Sequence, residues 1–203
     1  MEDLGQVPLP PYIVTKLVDT DRYQTIYAAR PGSAAAPTAG LHFTEELMSH
    51  LEDMGMRFAD IVLHIGLDTF APVTEDRAED HKIHTEWGEI PQETVEAVRN
   101  TRKEGGRIVA VGTASARALE TAAANTVPGE VISSFAGATD LFILSGYDFK
   151  AVDILLTNFH LPHSKLLMLV SAFAGREQIL QAYEEAIRLK YHFYSFGDAM
   201  LIL

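Results

Sequence analysis

Four short stretches of this sequence place polar, chemistry-bearing residues beside small or turn-forming ones. In "PGSAAAPTAGLHFTEEL" (residues 31–47) a single imidazole, His42, stands at the end of a small-residue loop and just before a helix start. "HIGLDTF" sets His64, Asp68 and Thr69 at a strand exit, where a carboxylate can orient a histidine base or simply close a turn. "VGTASARALE" puts Gly112, Thr113 and Ser115 at a strand-to-helix junction, where free backbone N–H groups and hydroxyls hold a carboxylate or phosphate. Arg117 follows within the first turn, an unfavourable place for a cation unless an anion compensates it. "LLTNFHLPHSK" brings Asn158, His160 and His163 to another strand end. A neutral imidazole suits proton transfer near pH 7, so His42, His160 and His64 are acid–base candidates; a structural histidine tied to backbone is the plainer alternative. "HKIHTEW" groups His81, His84 and Glu86 at a spacing open to a divalent metal, but lacks the His-Glu-x-x-His zinc signature.

Whole-chain properties narrow the chemistry. The 203 residues suffice for one core, and 47% are hydrophobic, which excludes wholesale disorder. No cysteine is present, so disulfides, thiolate metal sites and cysteine nucleophiles are excluded. The opening residues lack a signal-peptide pattern, and the longest apolar run, 166–174, is too short to span a bilayer. A soluble, cytoplasmic protein without membrane contact is expected. Net charge is −12, so a phosphate-gripping surface would have to be a local patch, with Lys165, Arg188 and Lys190 as its candidates. Neither a dinucleotide fingerprint nor a P-loop occurs.

The elements that must position these residues follow from periodicity. Residues 1–20 form a Pro-rich, extended entry to one α/β domain spanning 1–203. Thr44 is a good N-cap for a helix with Leu47, Leu51 and Met54 as its apolar stripe and Gly55 as its stop. "FADIVLH", "RIVAVGT", "EVISSF", "TDLFIL" and "VDILLTNF" read as strands. Helices are expected from Pro91 to Glu104, over "SARALETAAAN", and over "SKLLMLVSAFAG" and "REQILQAYEEAIRLK", which Gly175 separates. In the last, Ile179, Tyr183 and Ile187 share a face, and Glu184 can pair with Arg188. Alternating strands and helices predict a largely parallel sheet flanked by helices, with the ligand site where strands end.

Taken in order, "YQTIYA", "PGSAAAPTAGLHFT", "LHIGLDTFAPV", "DHKIHTEW", "AVGTASARALE", "VDILLTNFHLP", "LLMLVSAFAG" and "FYSFGDAMLI" closely resemble the S-adenosylmethionine:tRNA ribosyltransferase-isomerase family of queuosine biosynthesis. The resemblance runs from Val7 to Ile202. It implies transfer of the ribosyl moiety of S-adenosylmethionine to 7-aminomethyl-7-deazaguanine at a tRNA wobble position, then isomerisation to epoxyqueuosine. It implies S-adenosylmethionine as co-substrate, no tightly bound cofactor and no metal, with tRNA as the macromolecular partner and a monomer as the working state. It also implies that the family's N-terminal region and inserted β-barrel are lacking, so a chain that only binds S-adenosylmethionine or tRNA is the second reading. A metal-dependent hydrolase built on His81, His84 and Glu86 is the third.

That reaction assigns chemical roles to the candidates. His42 and His160, with His64 held by Asp68, would handle protons. Thr38, Thr113, Ser115 and Arg117 would hold the methionine carboxylate or ribose hydroxyls, and Asn158 a base edge. Gly40 would let backbone approach the nucleoside closely. Phe43, Phe159 or Phe196 would stack on adenine or face the sulfonium, and Asp198 would meet the ligand amine or close a turn.

Overall fold

The computed structural model describes residues 9–15, 17–66, 83 and 85–203. Among these residues, five α-helices and six strands form an α/β arrangement of two small sheets. In the first sheet, β1 (Val62–His64), β2 (Glu86–Ile90) and β4 (Phe135–Thr139) lie in the order β1-β2-β4, antiparallel throughout. In the second, β3 (Val109–Val111), β5 (Ile154–Asn158) and β6 (Ala199–Ile202) lie in the order β3-β5-β6. Of the described pairings only β3–β5 is parallel, so the expected largely parallel sheet is not what these residues form. The physical reason is legible in β2, whose burial alternates along the strand, the pattern of a sheet covered on one face. β5, by contrast, is covered along both faces.

Helix α3 (Thr113–Ala124) packs against β2 and β4 of one sheet and β3 and β5 of the other. Nine of its twelve residues are buried. Alanine dominates it because alanine is the best helix former and keeps both sheets close: a Cβ added at Gly88 of β2 would lie 3.5 Å from Ala118 Cβ. A helix buried on every side must also satisfy its polar residues. Glu120, 0% exposed, accepts hydrogen bonds from the backbone N–H groups of Lys150, Ala151 and Val152 and from the Tyr147 hydroxyl. Thr121 Oγ1 donates to Arg117 O and lies 2.6 Å from Thr139 Oγ1.

The remaining helices are α1 (Glu45–Asp53), α2 (Gln92–Lys103), α4 (Lys165–Ala174) and α5 (Arg176–Arg188). Thr44 caps α1 through its hydroxyl to Leu47 N, as expected, and Ser164 caps α4 in the same way. The apolar stripe expected on α1 does not enter the core: the helix buries no residue, and Met54 is 64% exposed. On α5, Ile179 and Tyr183 are buried but Ile187 is 65% exposed, and Ala186 takes its place against the core. Arg188 bonds Glu185, one turn back, instead of Glu184. "EVISSF" and "TDLFIL" are not the strands; β4 takes the "FAGAT" between them, where alternate residues turn to the core. β6, which follows the Gly197-Asp198 turn, is a strand through its pairing with β5.

Candidate functional site

Three of the singled-out segments meet at the C-terminal end of β5. The loop before α1 winds into a 3-10 turn, Thr38–His42, which packs against that end. Asn158, the last residue of β5 and buried, is the centre of the cluster. Its Nδ2 lies 3.2 Å from His42 Nε2 and donates to Tyr194 O (3.1 Å) and Gly197 O (3.4 Å), while its Oδ1 accepts from Thr38 Oγ1 (3.5 Å). The amide expected to read a base edge is thus engaged by protein on both sides.

The α3 N-terminus opens beside this cluster. Gly112, the N-cap, takes φ 93°, a left-handed value that disfavours any side chain, and donates its N–H to Leu156 O of β5 (2.8 Å). A Cβ placed on it would lie 3.7 Å from Ala39 Cβ, which fixes the helix end next to the 3-10 turn. Neither Thr113 nor Ser115 caps the helix. The first N–H groups therefore remain for a ligand or water. Thr113 is buried and Ser115 half-buried at that end.

The glycine of the loop has a protein partner. A Cβ on Gly40 would strike the Tyr27 hydroxyl and come within 2.7 Å of Thr25 Cγ2, so its smallness admits the "YQTIYA" segment. The expected close approach of a nucleoside at Gly40 is not what fills that space.

Other candidates lie elsewhere. His160 is turned away from Asn158: its Nε2 is 3.0 Å from Thr157 Oγ1, and Thr157 and Asn158 alternate to opposite faces of β5. Its ring is 9% exposed, and burial pulls its pKa down to about 4, so it is neutral at pH 7. Its backbone N–H donates to the Tyr183 hydroxyl (2.7 Å). Phe159 is core, packed among Tyr183, Tyr191 and Phe193. Phe43 is buried against Phe58, whereas Phe196 keeps 43% of its surface exposed, 5.7 Å from the Tyr23 ring. His64 stacks obliquely on Trp87 at 5.0 Å, under Gly32. Asp68, its expected partner, and Thr69 lie outside the described residues, as do His81 and His84.

Arg117 finds its anion within the protein. Its guanidinium, 4% exposed, bonds Glu86 of β2 at 2.6 Å and Leu141 O at 3.0 Å. That pair accounts for the cation near the start of α3; the metal grouping expected of Glu86 with His81 and His84 lies partly outside the described residues. Among the described residues no group of His, Asp or Glu is placed to hold a metal ion. Asp198 accepts a hydrogen bond from His192 N (2.6 Å) and so closes the loop 192–198, the turn-closing alternative of its two expected roles. Lys165 is buried, so the patch expected with Arg188 and Lys190 does not form a surface.

Sequence reasoning overlooked Tyr194 and Gly197, whose contribution is backbone carbonyls and leaves no side-chain signature. Tyr194 has φ 73°, rare for an aromatic residue and worth about 1–3 kcal/mol of strain. Its N–H donates to Phe159 O and its carbonyl accepts from Asn158, so the strained turn is what orients the amide. Tyr23, also overlooked, is buried, and burial pushes its pKa up to about 12.

Fold and cluster define an α/β protein whose polar groups converge where a central strand ends and a buried helix begins. The family model described as "Queuosine biosynthesis protein" matches residues 1–202, and the chain belongs to that family. Over all 203 residues it is 58% identical to the S-adenosylmethionine:tRNA ribosyltransferase-isomerase of Carboxydothermus hydrogenoformans and 55% identical to that of Thermoanaerobacter sp.. In each case the chain spans 59% of the relative's length. A crystal structure of S-adenosylmethionine tRNA ribosyltransferase from Thermotoga maritima superposes with TM-score 0.67 at 49% identity, covering 82% of this chain and 51% of that one.

Proposed function

We propose that this chain carries the S-adenosylmethionine-handling part of a tRNA ribosyltransferase-isomerase. The reaction is transfer of the ribosyl moiety to 7-aminomethyl-7-deazaguanine in tRNA and isomerisation to epoxyqueuosine. The observation that carries it is the 58% identity over the whole chain to a relative of that name. The convergence of Thr38, His42 and Asn158 beside the uncapped start of α3 supports it.

In this reading the N–H groups at the start of α3, with Thr113 and Ser115, hold the methionine carboxylate, since a helix N-terminus favours an anion. His42 faces the nucleoside, and the exposed ring of Phe196 supplies a stacking surface for a purine or the sulfonium. Arg117, Asn158, Phe159, His160 and Asp198 act from behind, by holding β5, α3 and the loop 192–198 in place. Incubation of the protein with S-adenosylmethionine and tRNA bearing the precursor base, followed by nucleoside mass spectrometry, tests this. Epoxyqueuosine is expected. Binding of S-adenosylmethionine without product would favour the binding-only reading.

A further inference from the structure

We propose that Asn158 holds His42 as the neutral imidazole protonated on Nδ1, so that the ring offers its ligand a hydrogen-bond donor and not a basic lone pair. The orientation of the Asn158 amide is settled by its surroundings. Two carbonyl oxygens, of Tyr194 and Gly197, lie 3.1 and 3.4 Å from Nδ2, and the Thr38 hydroxyl lies 3.5 Å from Oδ1. A flipped amide would set its oxygen against both carbonyls, whereas the hydroxyl, able to donate or accept, suits either orientation. The NH2 group has two hydrogens. One serves the two carbonyls, and the other points to His42 Nε2, 3.2 Å away.

Nε2 must then accept, which leaves the proton of a neutral ring on Nδ1. An imidazolium would bring two donors face to face. Nδ1 itself has no hydrogen-bond partner among the described residues, and the ring is half-buried at the end of the 3-10 turn.

The chemical consequence is narrow. With Nε2 engaged, His42 gains no proton without breaking the Asn158 contact, and complete loss of the Nδ1 proton would leave an imidazolate. The ring therefore acts as a preorganised hydrogen-bond donor toward developing negative charge. Resting on the function proposed above, its partner is a ring nitrogen of the departing adenine and not the attacking amine, which needs an acceptor. Asn158 is a positioning residue in this scheme.

Long-range proton–nitrogen correlation spectra of the chain, labelled with 15N-histidine at pH 7.5, test the tautomer without any need for activity. The His42 signals are identified by their disappearance in His42→Gln. A protonated, pyrrole-like Nδ1 with an unprotonated, pyridine-like Nε2 is expected. In Asn158→Asp a carboxylate accepts from Nε2–H, so Nε2 should move to the protonated range. An Nε2–H tautomer or an imidazolium in the unsubstituted chain overturns the proposal, as does an Asn158→Asp spectrum unchanged at Nε2. If Asn158→Asp does not fold, the unsubstituted spectrum decides alone. A failed tautomer leaves the proposed reaction intact, and absence of epoxyqueuosine leaves the tautomer intact.

Discussion

His42 and His160 differ in what their imidazoles touch, and the difference can be measured. A ring that donates a hydrogen bond in the transition state is worth about 10²–10³-fold in rate when removed. His42→Ala should therefore lower epoxyqueuosine formation by that factor, and near-normal turnover would remove it from the mechanism. His160 belongs to the stability of the fold. Its pKa is about 4 when folded, against about 6.5 for an unperturbed histidine. The unfolded chain thus binds the proton first. The stabilisation is complete above pH ~6.5 and is lost as pH falls toward 4, by roughly 3 kcal/mol at most. Urea unfolding at pH 7 and pH 4.5 reads this loss, and His160→Gln should flatten it; an equal loss in both proteins would refute the assignment. Arg117 and Glu86 form a buried pair, so Arg117→Ala breaks a buried ion pair and should cost about 3–5 kcal/mol in the same assay.

Among the elements, the 3-10 turn Thr38–His42 depends on a fit that no helix or strand propensity describes. Gly40→Ala drives a methyl group into Tyr27 and Thr25 and should destabilise by about 1–3 kcal/mol while displacing His42. Adding Tyr27→Phe removes the hydroxyl that the methyl group meets and should restore part of the loss. Thermal unfolding of the single and double variants checks this, and additive losses would show that Tyr27 is not the obstacle. The strained Tyr194 turn belongs to the same scale: the loop 192–198 is locked by Asp198 on His192, which aims two carbonyls at Asn158.

For the whole molecule, α3 joins the two sheets, and Glu120 joins α3 to the chain entering β5. Neither sheet can lose its packing while the helix stays in place. Unfolding should be one cooperative transition. Fluorescence of Trp87, the single tryptophan, reports the antiparallel sheet, and far-ultraviolet circular dichroism reports the helices. Coincident denaturation curves are expected, and separated midpoints would show that the sheets fold independently.

How much of this was legible in the chain itself depends on the range of the forces involved. The helix starts at Thr44 and Ser164 and the identity of β5 follow from local caps and from a continuous apolar run. Family membership follows from ordered motifs. The sequence also determined that cysteine chemistry is excluded and that His42 and Asn158 were worth attention. Only the tertiary structure decided that His42 faces Asn158 and that His160 lies across the strand from it, because one residue of register in β5 sends Thr157 and Asn158 to opposite faces. It also decided that Arg117 is neutralised by Glu86, 31 residues away, and that the sheets are mostly antiparallel. Such pairings depend on which surfaces meet when α3 is buried, and neither charge nor periodicity within a segment encodes a partner so distant in the chain.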